Sequence, residues 1–306
     1  NEMISSDGEV AQVIEYAQGL EGLVRHCSIH AAAVVIADRP ITDVVPLCGA
    51  GGRGAITTQY EMHDVEACGL VKMDFLGLKT LNIITNCLQF IVANGGPRFG
   101  VHDIPLDDER TYELLCRGDT AAVFQLESEG MQNLLRQMQP GHFAHVIALV
   151  ALYRPGPMQH ADEFCRGRHG ADVVYLDPRL KPILEETYGV ILYQEQVMKI
   201  ASELAGFSMP QAEIIMRAMA KKQKEKMDTM KPLFLQGCVA NGVAMQAAEE
   251  VFRRMETFSD YGFNKTHSAA YGLVAYWTAY LKANYPAEFL AAHLSTVMDN
   301  SDEVGK

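Results

Sequence analysis

Two residues of opposite charge alternate with large apolar ones in Leu70-Val71-Lys72-Met73-Asp74-Phe75. Side chains on an extended chain point to opposite faces in turn, so Lys72 and Asp74 share one face. Val71, Met73 and Phe75 share the other and are expected to pack. One reading of Lys72 beside Asp74 is a structural ion pair. The other is a metal-binding carboxylate next to a phosphate-binding amine. Phosphoryl transfer needs both, because carboxylates hold divalent cations and an ammonium neutralises a polyphosphate.

Three further segments carry cations. Arg217 to Lys231 is the densest positive stretch. Within it Arg217, Lys221 and Lys224 repeat at i, i+4 and i+7, so one helix would present them to phosphate as a stripe; a solvated helix end is the alternative. Tyr261 to Ser268 has Gly262 and Asn264 for a turn. Thr266 or Ser268 is available to cap a following helix, whose free amides, with Lys265 and His267 beside them, suit an anion. Arg154 precedes Pro155-Gly156-Pro157, a stiff turn from which it reaches either local carbonyls or a ligand. Gly49-Ala-Gly-Gly-Arg-Gly54 has the glycine content of a phosphate loop. It lacks the G-K-[ST] ending and precedes a strand, so it reads as a hairpin connection. His30, before an apolar run, reads as a hydrogen-bonded core residue.

The elements that must position these residues change character along the chain. Val10, Val13, Ile14, Ala17 and Leu20 make a helical stripe within 1–22. His30 to Ala37 reads as a buried strand, and 55–60 and 69–75 as two more. From Leu78 the period becomes helical and stops at Asn94-Gly95-Gly96-Pro97. Helices are predicted over 109–116, 128–138, 142–152, 190–205, 210–222, 244–257 and 267–284. A boundary falls near residue 80, between a small α/β piece with exposed sheet edges and a large helical piece.

Composition excludes several classes. The 306 residues carry 26 Lys+Arg against 38 Asp+Glu, a formal charge of −12, so a protein that coats DNA through overall charge is not expected. No run of about 18 apolar residues is present, so no membrane span is expected. Seven scattered cysteines, never at CxxC spacing, argue against a disulfide framework and a cysteine zinc site, and read as cytosolic thiols.

The segment Val71-Lys72-Met73-Asp74-Phe75-Leu76-Gly77-Leu78 resembles the K-x-D-F-L-G-L segment of the bacterial replicative DNA polymerases of the C family, the polymerase III alpha subunits. His30-Ala-Ala-Ala-Val-Val-Ile resembles that family's H-A-G-G-V-V-I strand. Phe124-Gln125-Leu126-Glu127-Ser128, Arg154-Pro155-Gly156-Pro157, Tyr188 to Gln196 and Tyr261 to Ser268 resemble further family segments, in family order. The resemblance covers essentially the whole chain. It implies an α+β chain: the tail of a thumb helix (1–24), the C-terminal part of a nucleotidyltransferase-type palm sheet (25–80), and a large, mostly α-helical fingers domain (81–306).

The same resemblance implies template-directed addition of dNTPs to a primer 3′-hydroxyl, with Asp74 as a catalytic, metal-binding carboxylate for two Mg²⁺ ions. Lys72, Arg154, Arg217, Lys221, Lys222, Tyr261, Lys265 and His267 become the residues expected at the nucleotide and its triphosphate, with Tyr261 near the sugar. Arg217-Ala218-Met219-Ala220-Lys221-Lys222 departs from the family's R-R-A-M-G-K-K at Met216 and Ala220. The family's other two catalytic acids lie in a P-D-x-D-x-D-F strand with no counterpart in these 306 residues; Asp107-Asp108 sits in a turn before a helix. The chain is therefore expected to be a fragment or a split-gene product, inactive alone. Its expected partners are primer–template DNA, dNTPs, the rest of the polymerase chain, a sliding clamp and a proofreading exonuclease, in the cytoplasm. A non-catalytic DNA- or nucleotide-binding module and an unrelated helical interaction protein are the alternatives.

Overall fold

The computed structural model describes residues 8–23, 28–50, 54–154, 156–220, 223–259 and 262–298. The chain divides into two compact units, residues 1–78 and 79–306.

Among its described residues the first unit holds four short strands and two α-helices. Helix α1 (Gly8–Leu20) forms where the stripe predicts it, but none of its residues is buried. Strand β1 (Ala33–Ile36) pairs antiparallel with β4 (Val71–Asp74), Ala33 opposite Asp74 and Val35 opposite Lys72. Strand β2 (Leu47–Ala50) pairs antiparallel with β3 (Ala55–Thr58), so the glycine-rich stretch is a hairpin connection. These are two separate two-stranded sheets rather than one of three strands. Helix α2 (Met62–Ala67) supplies Val65 to a small core with Val45 and Leu70, against which Val35 and Leu47 pack.

The alternation in β4 is as expected, but which face is covered is not. Lys72 shares its face with Val35, which packs on the small core. The apolar side, Val34 and Ile36 with Val71 and Met73, lies open, as does Phe75 at 65% exposure. Directly opposed residues in an antiparallel pair share a face, so four large side chains line this open surface. Strand β1 is thus half-exposed rather than buried. One small helix cannot cover both faces of a two-stranded ribbon.

The second unit is helical. Helix α3 (Lys79–Ala93) is followed by α4 (Glu109–Arg117), α5 (Glu129–Met138), α6 (Phe143–Leu152) and α7 (Ala161–Arg168). After the short α8 (Lys181–Leu184) come α9 (Gln194–Ala205), α10 (Met209–Ala220), α11 (Lys224–Ala240), α12 (Met245–Ser259), α13 (Lys265–Asn284) and α14 (Pro286–Val297). Asp108 caps α4, accepting from the Thr111 amide at 2.9 Å, and also receives the Asn284 side-chain amide at 3.0 Å. This acid is a structural cap, in keeping with its exclusion from a catalytic strand. Helix α13 packs on α3, α4, α6 and α14, and its buried Ala275, Tyr276 and Ala279 belong to the main core.

Four helices departed from expectation for local reasons. Helix α11 was hidden by its charge and by Pro232, which sits inside it. Pro286 does not end a helix but starts α14, as proline does at a first helical position. Helix α7 is short, with Arg and Gly in its last turn. The predicted helix 210–222 ends at Ala220, and the next begins at Lys224, so Arg217 and Lys224 do not share one helix face.

The approach of α11 to α9 depends on Gly237, where an added Cβ would collide with the Ala205 carbonyl oxygen. That contact is backbone, so relief needs a shift of the whole helix. Gly237→Ala is expected to lower stability by about 1–3 kcal/mol, the usual cost of overpacking, despite the better helix propensity of alanine. Denaturant unfolding measures this; an unchanged midpoint would mean the two helices are not in such contact.

Candidate nucleotide and metal-binding residues

In the first unit, Lys72 and Asp74 meet as the spacing requires. Lys72 Nζ donates to both Asp74 oxygens, at 2.9 and 3.0 Å, and the acid remains 52% exposed. The hydrogen bond and charge of Lys72 hold the Asp74 carboxyl below its ordinary pKa, and His30 adds to this at longer range. Asp74 is thus a carboxylate at the open end of a strand, oriented by an ammonium. His30 is exposed rather than part of a core. Its Nδ1 accepts the amides of Ala32 and Ala33, at 3.2 and 2.9 Å, and lies 3.9 Å from Asp74. Among the described residues, no three His, Cys, Asp or Glu side chains come together to hold a metal ion.

In the second unit, two of the expected residues, Arg154 and His267, meet the ring of Phe263, and a third, Lys265, follows it by two positions. The Arg154 guanidinium lies 3.4 Å from the centre of the Phe263 ring, and His267 meets that ring edge-on at 5.1 Å. His267 also stacks on Tyr271 at 4.2 Å. Lys265 is the first residue of α13. The guanidinium has no hydrogen-bond acceptor among the described residues, so its donors are available to a ligand while the aromatic face fixes its plane. Desolvation lowers its pKa, the direction expected for a cation set against an aromatic ring with no acceptor beside it.

The start of α13 is not the open amide cluster that the sequence implied. Its cap is Asn264, whose Oδ1 accepts the His267 amide at 2.9 Å, rather than Thr266 or Ser268. Both oxygens of Glu195 accept the Lys265 amide, at 3.1 and 3.0 Å. The Gln194 amide donates to Phe263 O, and its side chain to Gly262 O, each at 3.0 Å. Lys265 Nζ is taken by Glu186, at 2.8 and 2.7 Å. An anion reaching this point therefore meets side-chain donors, with the Lys265 and His267 amides already used.

Arg217 stands apart from this cluster, 69% exposed and paired with Glu213 one turn earlier at 2.6 Å. Lys221, Lys222 and Tyr261 lie outside the described residues. Sequence reasoning did not single out Phe263, Tyr271, Glu186 or Glu195. Phe263 and Glu195 lie inside segments it did notice, but the pairing of those segments across about 70 positions has no signature in either one.

The Lys72 ammonium is the largest influence on Asp74 and can be removed without touching the acid. Lys72→Met is expected to raise the Asp74 pKa toward the ordinary carboxylate value. Between the lowered pKa of the parent and the higher one of the variant, the acid then carries a proton that the parent protein lacks. A carboxyl-carbon NMR titration reads this directly; an unmoved titration would show that Lys72 does not set the charge of the acid.

Comparison with known proteins covers both units. The family profile described as "Bacterial DNA polymerase III alpha subunit finger domain" matches residues 80–242. The profile described as "Bacterial DNA polymerase III alpha NTPase domain" matches residues 1–77. The chain is 47% identical to the DNA polymerase III subunit alpha of Thermus aquaticus, over 99% of this chain and 25% of that protein. It is 47% identical to that of Escherichia coli K12, over 99% of this chain and 27% of that protein, and 48% identical to that of Pasteurella multocida, over 98% and 27%. The chain spans about a quarter of the length of these relatives. With a profile matched over more than half its length, together with a mixed α+β first unit and a helical second one, the chain belongs to the bacterial DNA polymerase III alpha subunit family.

Proposed function

We propose that this chain is the palm-end and fingers portion of a replicative DNA-directed DNA polymerase, which adds dNTPs to a primer 3′-hydroxyl under template direction. In this reading residues 1–24 are the tail of a thumb helix, 25–80 the end of the palm and 81–306 the fingers. The observation that carries it is the half-exposed Asp74 carboxylate, kept ionised and oriented by Lys72 at the end of β4. An apolar strand gains nothing for its own folding from an exposed charged pair of this kind, whose contribution to stability is small.

Asp74 fits Mg²⁺ as a single hard-oxygen ligand, and the other ligands would come from outside the described residues. Bound Mg²⁺ would supply charge stabilisation at the attacking and leaving oxygens of a phosphoryl transfer. The residues of this chain then divide the remaining work. Asp74 holds its charge over the working pH range, and Lys72 fixes its orientation. Arg154 offers a planar set of donors to a phosphate or a base edge, His267 meets the same aromatic ring, and Lys265 lies over the neighbouring Tyr193 ring. Arg217, Lys221 and Lys222 add positive charge for the triphosphate, and Tyr261 packs near the sugar. The partners that follow are primer–template DNA, dNTPs, the rest of a polymerase chain, a sliding clamp and a proofreading exonuclease, in the cytoplasm. No helix among the described residues is long and apolar enough to cross a membrane.

Asp74→Ala in the complete natural chain is expected to slow primer extension by a factor on the order of 10³ or more, as loss of a metal ligand does. Primer–template affinity should stay within about twofold, because the acid is exposed and contributes no core. Near-normal extension by this variant would remove Asp74 from the chemistry. Arg154→Lys, which keeps the charge but loses the planar fork, is expected to raise the dNTP KM several-fold; an unchanged KM would assign Arg154 to the turn alone.

A further inference from the structure

Lys265 is held by two glutamates that reach it from one stretch of chain. Glu195 accepts its backbone amide and Glu186 its ammonium. The ammonium also lies 5.5 Å over the Tyr193 ring. The two holds differ in kind. The first fixes where α13 starts, whereas the second occupies a side chain that is 40% exposed, as is Glu186 itself.

Glu186 sits on a rigid support. It belongs to the turn Glu185–Thr187, which leads into Tyr188 at φ 52° and Gly189 at φ 85°. Thr187 is buried; its hydroxyl donates to Val190 O at 2.6 Å and accepts the Gln196 side-chain amide at 2.8 Å. Gln196 in turn accepts the amides of Leu192 and Tyr193, at 2.8 and 2.9 Å. The Tyr188 hydroxyl is fixed by His145 Nε2 at 2.7 Å. Burial pushes the pKa of His145 down to about 3, and its Nδ1 accepts the Gly141 amide, so Nε2 carries the proton and donates. The backbone that carries Glu186 is therefore fixed, and exchange at the pair needs only side-chain rotation, chiefly along the four-carbon stem of Lys265.

We infer that Glu186 is a resident counter-ion that competes with the phosphates of an incoming nucleoside triphosphate for Lys265. This rests on the reading above, in which Lys265 serves the triphosphate. Ligand binding exchanges one carboxylate for a phosphate oxygen at the same ammonium. Glu186 thereby lowers affinity while keeping Lys265 extended over Tyr193 when no ligand is present. An exposed pair of this kind corresponds to a factor of about two to five in the binding constant.

The test is equilibrium binding of dATP with Mg²⁺ to the complete natural chain on a dideoxy-ended primer–template, with KM and kcat measured on an extendable primer. Glu186→Gln is expected to tighten dATP binding about two- to fivefold, with the gain in Kd and KM rather than in kcat. Glu249→Gln, an exposed site on α12, controls for the change in net charge. The gain should vanish when Lys265→Ala is already present, since there is then nothing to compete for. If Lys265→Ala weakens dATP binding but Glu186→Gln leaves it unchanged or weaker, the counter-ion role is overturned while the reading of Lys265 stands. If Lys265→Ala has no effect on dATP binding, the reading of Lys265 fails, and the role of Glu186 with it.

Discussion

The start of α13 is pinned to the start of α9, and much of the second unit depends on that contact. Gln194 binds the carbonyls of Gly262 and Phe263, and Glu195 binds the Lys265 amide. Each neutral bond contributes on the order of 0.5–1.5 kcal/mol net, and those to an ionised carboxylate more. Their larger effect is geometric. They join segments about 70 positions apart and set the end of the helix on which α3, α4, α6 and α14 pack. The ring of Phe263, carried by the same turn, then fixes the plane of Arg154 and the edge of His267.

This arrangement sorts the cations of the second unit by what they lack. Lys265 has Glu186, Arg217 has Glu213 and Lys282 has Asp119. Arg154 has an aromatic face and, among the described residues, no acceptor. A guanidinium over a ring keeps its charge and in-plane donors, so the stacking that orders it leaves its recognition capacity intact. The paired cations must give up a carboxylate before they can take a phosphate, and Arg154 does not.

Periodicity made most of the second unit legible. Its predicted helices have their counterparts in α3, α4, α5, α6, α9, α10, α12 and α13, because each carries an apolar face that the core uses. Proline is accommodated inside α11 at Pro232 and at the start of α14 at Pro286, and neither of these helices was predicted. In the first unit the alternation of β4 correctly placed Lys72 beside Asp74. It could not say which face would be covered, because period-two patterns fix sides and not partners. Val34, Ile36, Val71 and Met73 form the open side. The pairs Glu186–Lys265 and Arg154–Phe263 were invisible for a related reason: each joins segments that look complete on their own.

The central claim is that Asp74 is a metal ligand in phosphoryl transfer, and the most direct measurement is a structure of the complete natural chain with primer–template, dNTP and Mg²⁺. The account predicts an Asp74 carboxylate oxygen about 2.0–2.1 Å from a magnesium ion, with Lys72 retained beside it. An ordered metal and nucleotide with Asp74 turned away, still paired only to Lys72, would contradict it.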